Sequence, residues 1–367
     1  MTASQTLPEL GAQALGRALL ARQHLLERTA HDPLAMVRHL GGLQAQAVPE
    51  PPYLGLLSRI EGFRPEQLTT LIEGRRVVRI ALQRGTIHLV TAEDCLTLRP
   101  LLQPMLDRGL ASNWGKRLPG VDLDRVASRA RTLVEAEPLT FQHLGPLLAE
   151  RFPAGDPAAL AQAARCRLPL VQVPPRGLWG RSGPAAHTTA EHWLGRPLAA
   201  DPSPDELVLR YLAAFGPATA ADAQKWCGLT GLGAVLKRLA PQLLLFRDAH
   251  GRTLYDLPQA PRPDPSAPAP VRLLAPFDNL LLSHADRTRV LPEEYRPRVM
   301  TQNGIVLGSV LVDGLVAGVW RIEDGVLRVR AFGRLGRSDL AGIEGEGARV
   351  LAFGGDTGGR VAVDREA

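Results

Sequence analysis

Between residues 204 and 239 the apolar positions fall three and four apart, and two breaks divide them into three helices. Leu207, Leu209, Tyr211, Leu212 and Phe215 line one side behind the helix start Ser203-Pro204-Asp205-Glu206. Gly216-Pro217 stops that helix, and Thr219 caps a second that runs through Ala223 and Trp226. Residues 228–231 turn into a third helix carrying Leu232, Val235, Leu236 and Leu239. The period then changes: residues 243–246 and 253–255 read as strands joined by the tip Asp248-Ala249-His250-Gly251. Helix, helix, turn, helix, hairpin is the order of a winged helix-turn-helix unit.

The same order recurs upstream. One helix is predicted from Asp122 to about Glu137, a second from the cap Thr140 and a third after Asp156-Pro157. The strand at 170–173 then opens into the wing PPRGLWGRSG. The first 90 residues follow the plan with helices near 9–28, 33–40, 53–61 and 65–73, and they close on the hairpin VVRIALQ-RG-TIHLV with Arg84-Gly85 as its turn. Six prolines in the thirteen residues 258–270 predict a stiff, extended linker. Beyond it the chain alternates as strands, and Asp313-Gly314 and Asp324-Gly325 are type I′ hairpin turns. The expectation is an α+β protein: three tandem winged helix-turn-helix units followed by a C-terminal antiparallel β barrel or sheet. The boundaries are 8–118, 119–199 and 200–257 for the units, 258–270 for the linker, 271–345 for the β domain and 346–367 for a Gly-rich tail read as loop.

Composition narrows the function classes. The 367 residues carry a formal charge of +6 and a pI near 9.7, a balance that favours a polyanionic partner. Of 43 basic residues only Lys116, Lys225 and Lys237 are lysines; the forked guanidinium of the others suits phosphate. No stretch reads as a membrane span or a secretory leader. Cys95, Cys166 and Cys227 are widely spaced and form no CxxC, so a reducing cytoplasm is expected. GxSxG, HExxH and Walker patterns are missing, and the nine histidines show no ligand spacing. No metal and no cofactor are expected.

The unusual segment is Gly41-Gly42-Leu43-Gln44-Ala45-Gln46-Ala47, followed by Pro49, Pro51 and Pro52. Flanking glycines and prolines disfavour a regular helix through it. On an extended backbone residues two apart point the same way, so Gln44 and Gln46 are expected to converge on one spot. Two surface glutamines in a loop is the bland alternative. Leu43, Leu54 and Leu56 are assigned to the core.

GGLQAQAVPEPPYLGL, RGTIHLVTAED, VPPRGLWGRSG, LLAPFDNLLLSHADRTRVL and VDGLVAGVWR, in this order over roughly residues 9–335, resemble the AlkZ-like winged-helix DNA glycosylases. Three tandem winged-helix units shape a concave positive surface in that family, whose members remove alkylated purines and in some cases unhook interstrand crosslinks. The resemblance implies that Gln44 and Gln46 are catalytic, since Gln44-Ala45-Gln46 matches the Gln-x-Gln form of the crosslink-unhooking branch; a departure is the small Ala45 in an apolar slot. The implied partner is double-stranded DNA carrying alkylated purines, met by a monomer in the cytoplasm that is nucleoid-associated when bound to DNA. The chemistry agrees. An N7-alkylated purine leaves as a neutral base, so the site needs only to stabilise a cationic sugar and place a water. A glutamine carbonyl can orient that water, although it cannot serve as a base.

DNA contacts are expected on the wings: Arg84, Thr86 and His88 on the first, Arg176, Trp179 and Arg181 on the second and Arg252 on the third. Ser283, His284, Arg287 and Arg289 form a further cationic turn. No lysine lies near the glutamines in sequence, which favours hydrolysis over Schiff-base strand cleavage. The rival reading is a non-catalytic winged-helix DNA-binding protein or transcriptional regulator; a degenerate family member that binds lesions without cutting is a third.

Overall fold

A computed structural model describes residues 7–46 and 49–365. Residues 1–6, Ala47 of the glutamine segment with Val48, and residues 366–367 of the tail lie outside the described residues. Helices stand where capping chemistry predicts them. Asp122, Thr140, Asp156, Ser203 and Thr219 each accept a backbone N–H with the side chain, opening Leu123–Ala136, Phe141–Ala149, Pro157–Arg167, Pro204–Phe215 and Ala220–Cys227. Leu232–Leu239 and the strands Leu244–Asp248 and Thr253–Asp256 complete the third group in the expected order. Two helices after the first hairpin, Ala92–Leu101 and Gln103–Trp114, go beyond the sequence reading.

The first two hairpins are not separate wings. They fuse into one six-stranded antiparallel sheet in the order Leu43–Gln44, Ile87–Thr91, Val77–Ala81, Leu170–Gln172, Ala186–Thr189, Leu139–Thr140. Val77–Ala81 is buried along its whole length because it lies inside that sheet. The glutamine segment supplies one edge.

The C-terminal strands form an open five-stranded sheet, not a barrel: Arg272–Leu274, Gly308–Val312, Leu315–Glu323, Val326–Ala331 and Arg360–Arg365. Asp313-Gly314 and Asp324-Gly325 have positive φ at both residues, as their turns require. The last strand runs parallel to its neighbour. A parallel return needs a crossover, and the helix Arg337–Phe353, which straddles the expected boundary between β domain and Gly-rich tail at 345/346, supplies it. Close approach explains the glycines: a Cβ at Gly347 would stand 2.6 Å from Val361 Cγ2, and one at Gly342 2.7 Å from Val271 Cγ2.

The Pro-rich segment 258–270, expected as a stiff, extended linker, is pinned to the body. Arg17 Nε donates to the Ala267 carbonyl at 2.6 Å, and Arg22 Nη2 to that of Pro261 at 3.2 Å. The helix Ala12–Arg22 thereby closes onto the far end of the chain. Arg22 meets Asp256 in a fully buried bidentate pair at 2.6 and 2.9 Å, and the edge strand Glu9–Leu10 runs parallel to Leu244–Asp248.

Candidate active site

The glutamine segment is shaped by what its glycines touch. Gly41 and Gly42 both have positive φ; a Cβ on Gly41 would meet the Trp226 ring at 2.9 Å and one on Gly42 would meet Val90 at 2.5 Å. The chain then enters the sheet, with Leu43 opposite Leu89 and Gln44 opposite His88. Ala45 N–H donates to the Ile87 carbonyl at 2.7 Å. The reciprocal bond is replaced on both sides: Arg79 Nη2 donates to the Ala45 carbonyl at 2.8 Å, and Gln46 Oε1 accepts the Ile87 N–H at 3.4 Å. The ladder ends there, leaving Gln46 exposed and Gln44 buried. Both glutamines therefore address the strand Ile87–Thr91, one beside His88 and the other at the Ile87 N–H.

Arg84 organises the site. It occupies the hairpin turn with φ 55° and donates from Nη1 to the Trp226 carbonyl at 2.5 Å. From Nη2 it donates to Gln44 Oε1 at 2.7 Å and Asn279 Oδ1 at 3.0 Å. Asn279 Nδ2 returns to the Gly42 carbonyl at 3.3 Å, and Gln83 Nε2 donates to the Gly41 carbonyl at 2.8 Å. The neighbouring Asp278 holds Arg59 in a buried bidentate pair at 2.8 and 2.9 Å. The turn of the first hairpin, the glutamine segment and the FDN motif at 277–279 are thus one hydrogen-bonded unit. Burial, with Arg287 nearby, lowers the Arg84 pKa to about 10, so the guanidinium stays charged at neutral pH and fixes the Gln44 carbonyl.

Several residues expected on the DNA surface are turned toward internal partners. Arg84 is committed to internal acceptors. His88 is buried, and burial pushes its imidazole down to about 3. Ser283, His284 and Arg289 are also buried. Ser283 Oγ donates to the Asn279 carbonyl at 2.6 Å, His284 Nε2 bonds the Phe215 carbonyl at 3.0 Å, and Arg289 Nη1 donates to that of Pro217 at 2.9 Å. These contacts brace the third helical group against the FDN motif. Half-buried Thr86 gives its hydroxyl to the Gln83 carbonyl at 3.1 Å. Trp179 packs against Tyr53 and Phe353, with ring centroids 5.1 and 4.9 Å away, and so roots its loop.

Other predicted contacts keep some freedom. Arg181 is exposed, and among the described residues Arg176 donates only to the Gly183 carbonyl at 3.1 Å. Arg252 has no such freedom, being held by Asp248 at 2.5 Å and Asp286 at 2.7 Å. Arg287 is half-buried and has no acceptor for its side chain among the described residues, its Nε being enclosed as well. The structure adds residues the sequence reading missed. Lys225 faces Arg287, Arg84 and Arg296, and its pKa is lowered by partial burial and then by these cations. Arg79 links the Ala45 carbonyl to Gln172 Oε1, 3.1 Å from its Nε; an arginine inside an apolar strand was the available clue. Asn279 carried none beyond its motif.

Among the described residues, no group of three His, Cys, Asp or Glu side chains is placed to hold a metal ion, and no helix is long and apolar enough to cross a membrane. All three cysteines are buried and free. The AlkZ-like DNA glycosylase family matches residues 37–353, a span that includes the glutamine segment, the first hairpin and the FDN motif. The chain belongs to the AlkZ-like DNA glycosylases. It is 27% identical over 365 residues to an interstrand DNA cross-link repair glycosylase of Streptomyces sahachiroi, covering 92% of this chain and 94% of that relative. Its fold is that of the solved Streptomyces sahachiroi DNA glycosylase AlkZ, with a TM-score of 0.79 at 22% identity over 98% of this chain and all of that one. Membership makes the chain an enzyme, and the regulator reading falls with it.

Proposed function

We propose that this AlkZ-like protein is a monofunctional glycosylase that hydrolyses the N-glycosidic bond of cationic N7- or N3-alkylated purines in duplex DNA. It acts as a monomer, and crosslinked purines are among its substrates, as the name of the Streptomyces relative suggests. The observation that carries the reading is the Gln44 carboxamide, its oxygen held by Arg84, beside the exposed Gln46 at the end of a sheet ladder. A cationic purine departs neutral, so no strong acid is called for. Gln46 presents a carboxamide that can hold the attacking water, while Gln44 retains a carbonyl lone pair for the sugar whose positive charge develops and an amide N–H for a sugar or phosphate oxygen. A crosslinked base cannot swing into a deep pocket, so a site at a sheet edge suits such a substrate better than full base flipping.

The helical groups with their hairpins, read as winged-helix units, bring backbone contacts to the same site. Lys225, Arg287 and Arg296 lie together near Arg84 and repel one another. An arriving phosphate relieves that repulsion, so this group, with Arg176 and Arg181, is assigned to the DNA backbone. Lys225 is assigned to phosphate, and strand cleavage is not expected. The test is single-turnover release of 7-methylguanine from methylated duplex, with strand integrity and borohydride trapping followed in parallel. Free base with intact strands and no trapped adduct is the expected result. Binding without release identifies a degenerate lesion binder, and a trapped adduct lost in Lys225→Ala overturns the monofunctional assignment. A duplex with a synthetic crosslink between two alkylated purines, resolved on a denaturing gel, tests unhooking.

A further inference from the structure

His88 stands in the sheet directly opposite Gln44. The bond from Ala45 N–H to the Ile87 carbonyl makes Ala45 and Ile87 the hydrogen-bonded pair of this ladder. Gln44 and His88 are then a non-hydrogen-bonded pair, the kind that brings cross-strand side chains closest and on one face. The imidazole tautomer follows from its contacts. His88 Nδ1 lies 3.1 Å from the Thr86 carbonyl, which can only accept, so Nδ1 carries the proton. Burial and the Arg84 charge keep the ring neutral, and Nε2 is therefore a bare acceptor. That nitrogen is enclosed and has no partner, an expensive state for a buried polar atom. Across the strand, Gln44 uses Oε1 for Arg84, and its amide protons meet no acceptor among the described residues. An unused acceptor and an unused donor thus sit on neighbouring strands of the active site.

We propose that His88 is the positioning residue of Gln44, its Nε2 accepting one amide proton of that glutamine in the DNA-bound enzyme. Arg84 grips the carbonyl end and His88 the amide end. One lone pair and one N–H of Gln44 remain for the substrate, aimed in a single direction. Without His88 the carboxamide pivots about its one anchored oxygen. The proposal rests on the catalytic reading of Gln44 given above.

The experiment compares His88→Gln, His88→Asn and His88→Leu in single-turnover release of 7-methylguanine at saturating DNA, beside Kd for the duplex and Tm. A glutamine can place an oxygen near the position of Nε2, whereas an asparagine reaches only as far as Nδ1. His88→Gln is expected to stay within a few-fold of the parent. His88→Asn and His88→Leu are expected to lose roughly 10–100-fold in rate, with Kd unchanged. In a Gln44→Ala background, His88→Leu is expected to cost nothing further. A structural role would instead order the variants by Tm and spare the rate of those that fold. If Gln44→Ala is impaired while His88→Leu excises at the parent rate, the positioning role is wrong and the catalytic reading stands. Additive losses in the double variant also overturn it. A Gln44→Ala variant as fast as the parent removes the catalytic assignment of Gln44, and the positioning role with it.

Discussion

The turn at residues 83–86 and the loop at 174–185 both join strands of one sheet and both carry arginine beside glycine, yet they do opposite things with the charge. Arg84 spends its guanidinium on Trp226, Gln44 and Asn279. In the loop, Trp179 is wedged against Tyr53 and Phe353 while Arg181 is exposed. A cation supplied with internal acceptors is part of the scaffold; one left without them is available to phosphate. Position on a hairpin does not separate the two cases. The acceptors do.

The sharpest way to break this contrast is Arg84→Ala. Removing this half-buried donor strands three neutral acceptors and opens space, so a loss of about 2–4 kcal/mol of stability is expected, together with loss of excision. Arg84→Lys should not rescue, because a single ammonium cannot fork toward three acceptors; thermal melts and base release check both. Next in size is Gln46→Ala, which is expected to lower base release roughly 10–1000-fold with Tm nearly unchanged, since Gln46 is exposed. Gln44→Ala should lose comparable activity but also about 1 kcal/mol of stability, because Arg84 loses an acceptor.

A pH melt tests the two regions together. His88 in the first hairpin is held near pKa 3 and His187 in the second near 4, both chiefly by burial. Their folded values lie below the unfolded value of about 6.5. As pH falls below about 6.5 the unfolded chain binds more protons than the native one, so stability declines from there down toward pH 3–4. Tm should drop through this window, and His187→Gln should flatten the slope by about one proton. The smallest effect is expected for Arg181→Ala. Stability should change by no more than about 0.5 kcal/mol, while the salt dependence of duplex binding should fall by about one unit of slope. A stability loss as large as that of Arg84→Ala would erase the distinction between the two arginines.

What was legible in the sequence was local. Ser203, Thr219, Asp122, Thr140 and Asp156 announce helix starts because a cap is a contact within three residues, and the two Asp-Gly turns announce hairpins for the same reason. The non-helical path of Leu43-Gln44 followed from its glycines and prolines. Long-range contacts were not legible. Nothing near Arg84 tells that Asn279, 195 positions away, will take its charge, or that Arg79 will clasp the Ala45 carbonyl. The helix Arg337–Phe353 was misread because Gly342, Gly345 and Gly347 argue against helix on propensity, and the packing of Gly342 and Gly347 against the sheet overrides it. Lys225 was dismissed on sequence distance, although its helix ends against Arg84.

The buried pair between Arg22 and Asp256 has a consequence during synthesis. Arg22 leaves the ribosome more than two hundred residues before its counter-charge, and until Asp256 is made its guanidinium stays in water, because burying it unpaired is costly. The N-terminal helix therefore waits, with its apolar face unsatisfied, until the third helical group has been translated. Such a chain completes its fold late rather than segment by segment. A nascent fragment ending before Asp256 would hold both a stranded charge and bare leucines, which is the state that chaperones bind.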